Sequence, residues 1–298
     1  MIKFKNCLTW SFSRDRLFKD CRRAYYYHYY ASWGGWQAHA DEVARKAYIL
    51  KNIRNINVWI GDIVHQVIRW ILRSQIEGKE ISCDEAIKKA KQMLHKTWEQ
   101  SRSRSWTLDV KRNLNLFEHY YKREPDQKEL TLKLGKVVES ISNIYGSGLI
   151  KMFRGLSQEN LVHVDELDSF NFRGVKVFAA PDFAVHDVGY ILYDWKTGNP
   201  SDKDVLQLSC YVLYAMQKWK VLFKDIRIVP AYLSGQRVTF GFTKPLPPEQ
   251  TEEYIGKSLK QMMSVLSQSN EEYANLRLCP KTEDSWRCKN CKFKEICR

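Results

Sequence analysis

The sequence predicts an α/β protein in which a helix-rich region precedes a region of short strands. Apolar residues recur at helical spacing through most of residues 37–152. Residues 161–242 instead hold short β-rich runs that are separated by glycines. With 44% hydrophobic and 13% aromatic residues, the 298-residue chain has ample material for a buried core.

The first predicted element is a basic, aromatic helix over residues 11–30, because this run contains neither glycine nor proline. Five basic side chains along it are candidate phosphate contacts: Arg14, Arg16, Lys19, Arg22 and Arg23. Five tyrosines are candidates for stacking single-stranded bases: Tyr25, Tyr26, Tyr27, Tyr29 and Tyr30. We expect at least half of these tyrosines to pack into the core instead.

The later elements alternate between strands and helices. Strands are expected at 161–167, 175–180, 182–185 and 190–195, and we expect these four to share one sheet. A helix over 203–219, strands over 226–233 and 237–242, and a helix over 248–267 follow. The sequence has no repeats or low-complexity linkers, so we predict one domain over 1–298. Its parts are an N-terminal helix (1–36), a helical region (37–160), an α/β core (161–270) and a Cys-rich tail (271–298).

The charge balance favours a polyanionic partner. The chain has 48 Lys and Arg against 34 Asp and Glu, a formal net charge of +14, which suits nucleic acid or an anionic membrane surface. The lysines at 88, 89, 91 and 96 fit a solvated helix face equally well. No apolar run approaches the roughly 20 residues that cross a bilayer, and no signal-peptide core follows the first residues. We therefore expect a cytoplasmic protein that does not act at a membrane.

Two acidic residues and a lysine occur in a pattern that suits the hydrolysis of phosphodiesters. Asp182 follows Pro181, and Asp194 and Lys196 lie at the end of the next predicted strand. Carboxylate oxygens can hold Mg²⁺ or Mn²⁺, which generate hydroxide and neutralise charge on a phosphate. A lysine beside them can orient the water or stabilise the developing negative charge. Such a pattern also arises by chance, and acids at strand ends often only cap a turn.

Two further motifs strengthen the prediction of a site for phosphodiester hydrolysis. Residues 61–65 run from Gly61 to His65 on a predicted helix, and Gln207 and Tyr211 share one face of another. With these motifs in order, the sequence resembles the PD-(D/E)xK nuclease superfamily, and within it the RecB-like exonucleases. Those exonucleases include iron–sulfur nuclease domains of AddB type and the CRISPR-associated RecB-like exonucleases. The resemblance implies a restriction-endonuclease-like fold, a mixed sheet flanked by helices, here with a helical N-terminal elaboration and a Cys-rich C-terminal clasp.

The resemblance also implies roles for individual residues. His65, Asp182 and Asp194 would bind metal, with the Trp195 carbonyl as a further ligand, and Lys196 would assist the water. Gln207 and Tyr211 would support the site or the DNA, although ordinary helix packing explains their spacing equally well. Glu166 corresponds to an upstream acid, for which Asp165 and Asp168 compete. His65 lies near apolar helix positions, where a lone histidine is usually a core residue.

The cysteines suggest a second metal site near the end of the chain. Cys288, Cys291 and Cys297 form a Cys-x2-Cys-x5-Cys unit, which needs a fourth ligand for either a [4Fe–4S] cluster or a tetrahedral zinc ion. Spacing does not choose between the two metals, and Cys279 is a candidate fourth ligand for zinc. The resembling nucleases pair such a tail with a lone cysteine on an N-terminal helix. This implies Cys21 and a [4Fe–4S] cluster, although Arg22 stands where those proteins often have proline.

These observations predict a Mg²⁺- or Mn²⁺-dependent DNA exonuclease acting on single strands or DNA ends. The chain carries no nucleotide-binding P-loop motif, so a helicase or other DNA-processing partner would act in trans. An alternative is a catalytically silent nucleic-acid-binding protein that uses the fold and cluster as an assembly platform. A third reading is a zinc-binding DNA-recognition protein that uses Cys279 with the three C-terminal cysteines.

Overall fold

A computed structural model describes residues 5–164, 166–241, 244–267 and 272–297. The chain divides into two compact units: unit 1 contains residues 1–53, 169–178 and 249–298, and unit 2 contains 54–168 and 179–248. The expectation of one domain over 1–298 stays a prediction. No helix among the described ranges combines the length and the apolar character required to cross a bilayer.

The regular elements follow in chain order. They are β1 (Thr9–Ser11), α1 (Phe12–Asp20), α2 (Arg22–Tyr26), α3 (Glu42–Lys51), α4 (Ile56–Ile76), α5 (Cys83–Arg102), α6 (Phe117–Tyr120), α7 (Gln127–Gly146), α8 (Leu149–Arg154), β2 (Leu161–Val164), β3 (Ser169–Phe172), β4 (Val175–Phe178), β5 (Phe183–His186), β6 (Tyr190–Lys196), α9 (Lys203–Trp219), β7 (Ile226–Tyr232), β8 (Thr239–Phe240), α10 (Pro248–Met263) and α11 (Ser285–Lys289). The predicted α/β class with mixed sheets and flanking helices is confirmed.

Unit 1 contains a three-stranded sheet of order β1-β4-β3, in which β1 runs parallel and β3 antiparallel to β4. The prediction that the strands over 161–195 share one sheet is therefore wrong, because β4 pairs here. Neither β1 nor β3 was expected. β1 has three residues and β3 has four, so polar and apolar residues alternate over too short a stretch to predict a strand.

The predicted helix over 11–30 is interrupted at Cys21. This residue has extended backbone angles, φ −166° and ψ 110°, so α1 ends and α2 begins on either side of it. Its Sγ accepts a hydrogen bond from the Ala24 amide at 3.4 Å, which caps α2. A π-helical turn over Tyr27–Ala31 then completes the segment.

Most of the tyrosine run packs into the interior of unit 1. Tyr25, Tyr27 and Tyr30 are buried, as expected for at least half of the run. Arg14 is also buried, and its guanidinium donates to the Tyr25 and Tyr30 hydroxyls at 3.2 and 3.1 Å. The expectation that Arg14 contacts phosphate is therefore wrong. A buried guanidinium needs such partners, and tyrosine hydroxyls and ring faces supply them.

Unit 2 is built on a five-stranded sheet of order β2-β5-β6-β7-β8. The β6–β7 pair is parallel and the remaining pairs are antiparallel. Helix α9 spans residues 203–219 as predicted and provides the crossover that a parallel β6–β7 pair requires. Strands β2 and β8 are shorter than expected. Asp165, within the strand predicted over 161–167, and Phe242, at the end of the strand predicted over 237–242, lie outside the described residues.

Helix α4 forms the centre of the unit 2 core. Its apolar face buries Ile63, Val67 and Ile71 completely or nearly so. These side chains share one hydrophobic cluster with residues of α5 and α7 and with Phe183 and Trp195 of the sheet. Because α4 packs in this way, the polar residues between its apolar positions are held in fixed positions relative to β5 and β6.

Candidate active site

Asp182 and Asp194 meet because β5 and β6 form an antiparallel pair. The register places Phe183 opposite Tyr193, and the Asp182 amide donates to the Tyr193 carbonyl at 3.2 Å. The Asp182 Oδ2 accepts the Trp195 amide at 2.7 Å. Asp182 therefore lies against the segment that carries Asp194 and Lys196, as the spacing of the motifs predicts.

His65 reaches this pair from α4. Its Nδ1 lies 3.2 Å from the Asp182 Oδ1, and the His65 side chain remains 30% exposed. The reading of His65 as a buried core histidine is therefore wrong. Its apolar neighbours on α4 face the core, whereas the imidazole points to the carboxylate.

Lys196 lies at the centre of a polar network. Its Nζ is 2.7 Å from the Asp194 Oδ2 and 3.7 Å from the Asp204 Oδ1. The same ammonium donates to the Gln207 Oε1 at 2.8 Å, and the Gln207 Nε2 donates to the Tyr211 hydroxyl at 2.6 Å. The i, i+4 spacing on α9 thus produces a chain of contacts that ends on the lysine.

Gly61 allows α4 to approach the end of β6. A Cβ atom at this position would lie 3.1 Å from the Thr197 Oγ1, one residue beyond Lys196. The close approach explains why a residue without a side chain occurs one helical turn before His65.

The pKa values of the two carboxyl groups are shifted in opposite directions. Burial and the neighbouring charge of Asp182 raise the pKa of Asp194 to about 6, against the opposing effect of Lys196. Burial also acts to raise the pKa of Asp182, but the His65 ring and the Trp195 amide outweigh it and hold this pKa below its usual value. Two acids in one site whose pKa values are pushed apart are typical of functional carboxylates.

The side chains of Asp182, Asp194 and His65 are suitable ligands for a divalent metal ion. Asp194 is nearly inaccessible to solvent, and its carboxyl group interacts with the Lys196 ammonium, 2.7 Å from Oδ2, and with the Tyr211 hydroxyl. Carboxylate oxygens and one imidazole form a ligand set that Mg²⁺ and Mn²⁺ accept. No three acidic, histidine or cysteine side chains of the described ranges already enclose a position for an ion.

Glu166 lies apart from this network. Its side chain is 70% exposed and forms an ion pair with Arg73 at 3.1 Å. Of its two rivals, Asp168 accepts the Tyr214 hydroxyl at 2.9 Å, and Asp165 lies outside the described residues. The catalytic role expected of Glu166 stays a prediction.

Asp204 is a residue of the site that sequence reasoning missed. Besides its contact with Lys196, its Oδ2 accepts the Tyr232 hydroxyl at 3.0 Å and the Ser201 amide at 3.1 Å. Its place in the first turn of α9, one turn before Gln207, was the available signal. An acid there is also expected simply to favour a helix N-terminus, so the position alone did not indicate a site.

The four candidate cluster ligands, Cys21, Cys288, Cys291 and Cys297, all belong to unit 1. Burial raises the pKa of Cys291, and the charges of Cys21, Cys297 and Cys288 add to the increase. Burial likewise raises the pKa of Cys297, again with contributions from Cys21 and Cys288. Cys291 and Cys297 therefore each lie within electrostatic range of Cys21 and Cys288, but among the described residues no three of these thiols enclose a position for a metal ion.

Cys279 has a different environment. It is fully buried, and burial raises the pKa of its thiol to about 11. Its carbonyl oxygen accepts the Arg23 Nε at 2.7 Å. Each of the eight cysteines in the described part of the chain is a free thiol.

The sequence was compared with known proteins. Residues 9–298 match the family model of the PD-(D/E)XK nuclease superfamily, and the chain belongs to this family. Membership implies metal-dependent phosphodiester hydrolysis with divalent ions such as Mg²⁺. A comparison with curated proteins found no match.

Six chains of solved structures match this one. Among them is the crystal structure of SSO0001, which is 18% identical, with 78% of this chain and 96% of that chain covered and a TM-score of 0.30.

Proposed function

We propose that the protein is a RecB-like deoxyribonuclease that degrades DNA from ends or as single strands, using Mg²⁺ or Mn²⁺. The observation that carries the proposal is the convergence of Asp182, Asp194 and Lys196, with His65 bonded to the first acid. Membership of the nuclease superfamily supports the hydrolytic chemistry. The net charge of +14 supports a polyanionic substrate.

The proposed roles follow from the contacts. Asp182, Asp194 and His65 would hold the metal, with the Trp195 carbonyl as a further ligand, and a bound divalent ion would supply a hydroxide nucleophile at neutral pH. Lys196 orients the attacking water or stabilises negative charge on the phosphate. Gln207 fixes the ammonium of Lys196 by accepting one of its protons, and Tyr211 in turn fixes Gln207.

The test is digestion of end-labelled single- and double-stranded DNA with Mg²⁺, with Mn²⁺ or with EDTA. We expect metal-dependent shortening from the ends, and we expect Asp182→Ala, Asp194→Ala and Lys196→Ala each to abolish it. DNA binding should persist in these variants, because the basic surface supplies most of the affinity.

Asp187→Ala is the matched control for this experiment. Asp187 is an exposed acid in the turn between β5 and β6, close in sequence to Asp182, so its loss should leave cleavage unchanged. Wild-type cleavage rates in any of the three site variants would refute the active-site assignment. Purified wild-type protein that binds DNA and never cleaves it would instead favour the assembly-platform alternative.

We further propose that Cys21, Cys288, Cys291 and Cys297 hold a [4Fe–4S] cluster. Cys291 and Cys297 each interact electrostatically with both Cys21 and Cys288, whereas Cys279 interacts with Cys21, and this difference supports the proposed set. A cluster ligand must be a thiolate, and burial disfavours the ionised form of Cys279, whose pKa reaches about 11, more strongly than that of Cys291 or Cys297. Cys21 lies at the break between α1 and α2, where its Sγ accepts the Ala24 amide at 3.4 Å.

A further inference from the structure

A basic cleft in unit 2 lies along α4, the helix that carries His65. It encloses about 520 Å³ between α4, the loop after it and α5, and its lining includes Arg69, Trp70, Arg73, Lys79 and Lys89. This volume falls within the range of small-ligand sites, roughly 300–1,000 Å³. The site residues described above do not line it.

The cleft is aligned with His65 along α4. Arg69 and Arg73 follow His65 by four and eight residues and therefore share its helix face. At 1.5 Å per residue they lie about 6 and about 12 Å further along the helix axis. A DNA strand whose scissile phosphate lay at the acid pair would reach these arginines with its neighbouring phosphates.

The lining combines positive charge with an aromatic face. Four basic side chains line the cleft together with one acid, Glu77, which pairs with Lys79 at 3.2 Å, and Arg73 also pairs with Glu166 at 3.1 Å. The Lys89 Nζ lies 5.6 Å from the centre of the half-buried Trp70 ring. Cations that track a phosphate backbone and an aromatic ring that stacks a base together form the typical binding site for single-stranded DNA.

We infer that this cleft binds one unpaired nucleotide of a single DNA strand, with its base on Trp70 and its phosphates at Arg69, Arg73 and Lys89. The inference rests on the proposed nuclease function and names the strand-binding subsite of the same unit. An unpaired base is required, because bases within a duplex are already stacked on one another. The subsite would therefore favour single-stranded substrates.

The test measures affinity of the full-length protein for a fluorescein-labelled oligothymidylate in EDTA, so that no cleavage occurs. Trp70→Ala should weaken binding between about 5-fold and about 100-fold, whereas Trp70→Phe should retain most of it. An abasic oligonucleotide of equal length should bind wild type and Trp70→Ala equally, because it offers phosphates without bases.

Lys89→Gln tests the charge independently of the core. Its matched control is Lys91→Gln, since both lysines are exposed on α5 but Lys91 lines another depression. Loss of one phosphate contact should lower the slope of log affinity against log salt by about 0.7. Lys91→Gln should leave this slope unchanged.

The result that overturns the inference is a Lys89→Gln protein indistinguishable from Lys91→Gln, or a folded Trp70→Ala protein that binds thymidylate like wild type. Failure of the nuclease proposal has a different signature. In that case wild type would not cleave with Mg²⁺ or Mn²⁺, while the cleft variants would still lose affinity in EDTA.

Discussion

Asp194 shows at the scale of one residue how a functional site departs from the most stable arrangement. Its side chain is 4% exposed and lies beside a second carboxylate, so its ionised form is disfavoured until a cation joins the pair. One lysine is already present, but it also contacts Gln207 and Asp204. The protein thus keeps a carboxyl group whose charge is only partly compensated.

Asp194→Asn should therefore stabilise the metal-free protein at neutral pH. The folded-state pKa of Asp194 is raised to about 6, so the folded protein binds a proton more tightly than the unfolded chain does. The raised pKa does not affect the free energy of unfolding at low pH. It lowers this free energy progressively as pH rises from about 4 to about 6. In EDTA at pH 7 we expect a gain on the order of 2 kcal/mol in the free energy of unfolding, shrinking towards pH 4.

Denaturant unfolding at several pH values measures this gain. Saturating Mg²⁺ or Mn²⁺ should reverse the order, because an ion bound only by the folded wild type stabilises it by mass action. A variant that is less stable than wild type in EDTA at pH 7, or equally stabilised by metal, would contradict the role of Asp194.

At the scale of elements, the packing of α4 against the end of β6 brings His65 to the acid pair. Sequence periodicity indicates that α4 is a helix with one apolar face, but it does not determine the distance of approach. That distance depends on Gly61, whose absent Cβ leaves room for the Thr197 hydroxyl.

Gly61→Ala should gain less stability than alanine brings to an open helix position. Replacing a helical glycine normally gains up to about 1 kcal/mol. At Gly61 the new methyl group presses on Thr197, 3.1 Å away. Gly135 on α7 is the control, because nothing lies within 4 Å of a Cβ there. The measurement is the free energy of unfolding of both variants, and equal gains would show that α4 has space at Gly61.

At the scale of the whole molecule, residues from both ends of the chain belong to unit 1. The Tyr27 hydroxyl donates to the Ile296 carbonyl at 2.7 Å, and the Arg23 amide donates to the Pro280 carbonyl at 3.1 Å. Arg287 also pairs with Asp20 at 2.7 Å. A cluster held by Cys21 and the tail would connect the same two segments covalently, and such long-range links contribute most to stability in principle.

Anaerobically purified protein should accordingly be brown and contain about four irons per chain. Cys21→Ala should lose iron and thermal stability together, whereas Cys279→Ala should keep its iron. Iron content, visible absorbance and thermal unfolding measure these outcomes. Stoichiometric zinc, or loss of metal from Cys279→Ala alone, would refute the proposed ligand set while leaving the nuclease assignment intact.

The features that could be predicted from the sequence depend on contacts between neighbouring segments of the chain. Asp182 and Asp194 lie on two strands joined by a short turn, so their pairing follows once both strands are recognised. Both boundaries of helix α9 were predicted correctly, because its apolar residues recur at helical spacing over a long and regular stretch. The i, i+4 spacing of Gln207 and Tyr211 likewise forecast a shared helix face.

Tertiary packing decided the features that join distant segments or oppose a local tendency. His65 lies 117 residues from Asp182, and only the burial of α4 against the sheet of unit 2 brings them together. The helical tendency of residues 11–30 gives way at Cys21, where the backbone turns extended and one side chain caps the next helix. Strands β1 and β3 form because β4 supplies hydrogen-bond partners to both, and a strand that short has no stability without such partners.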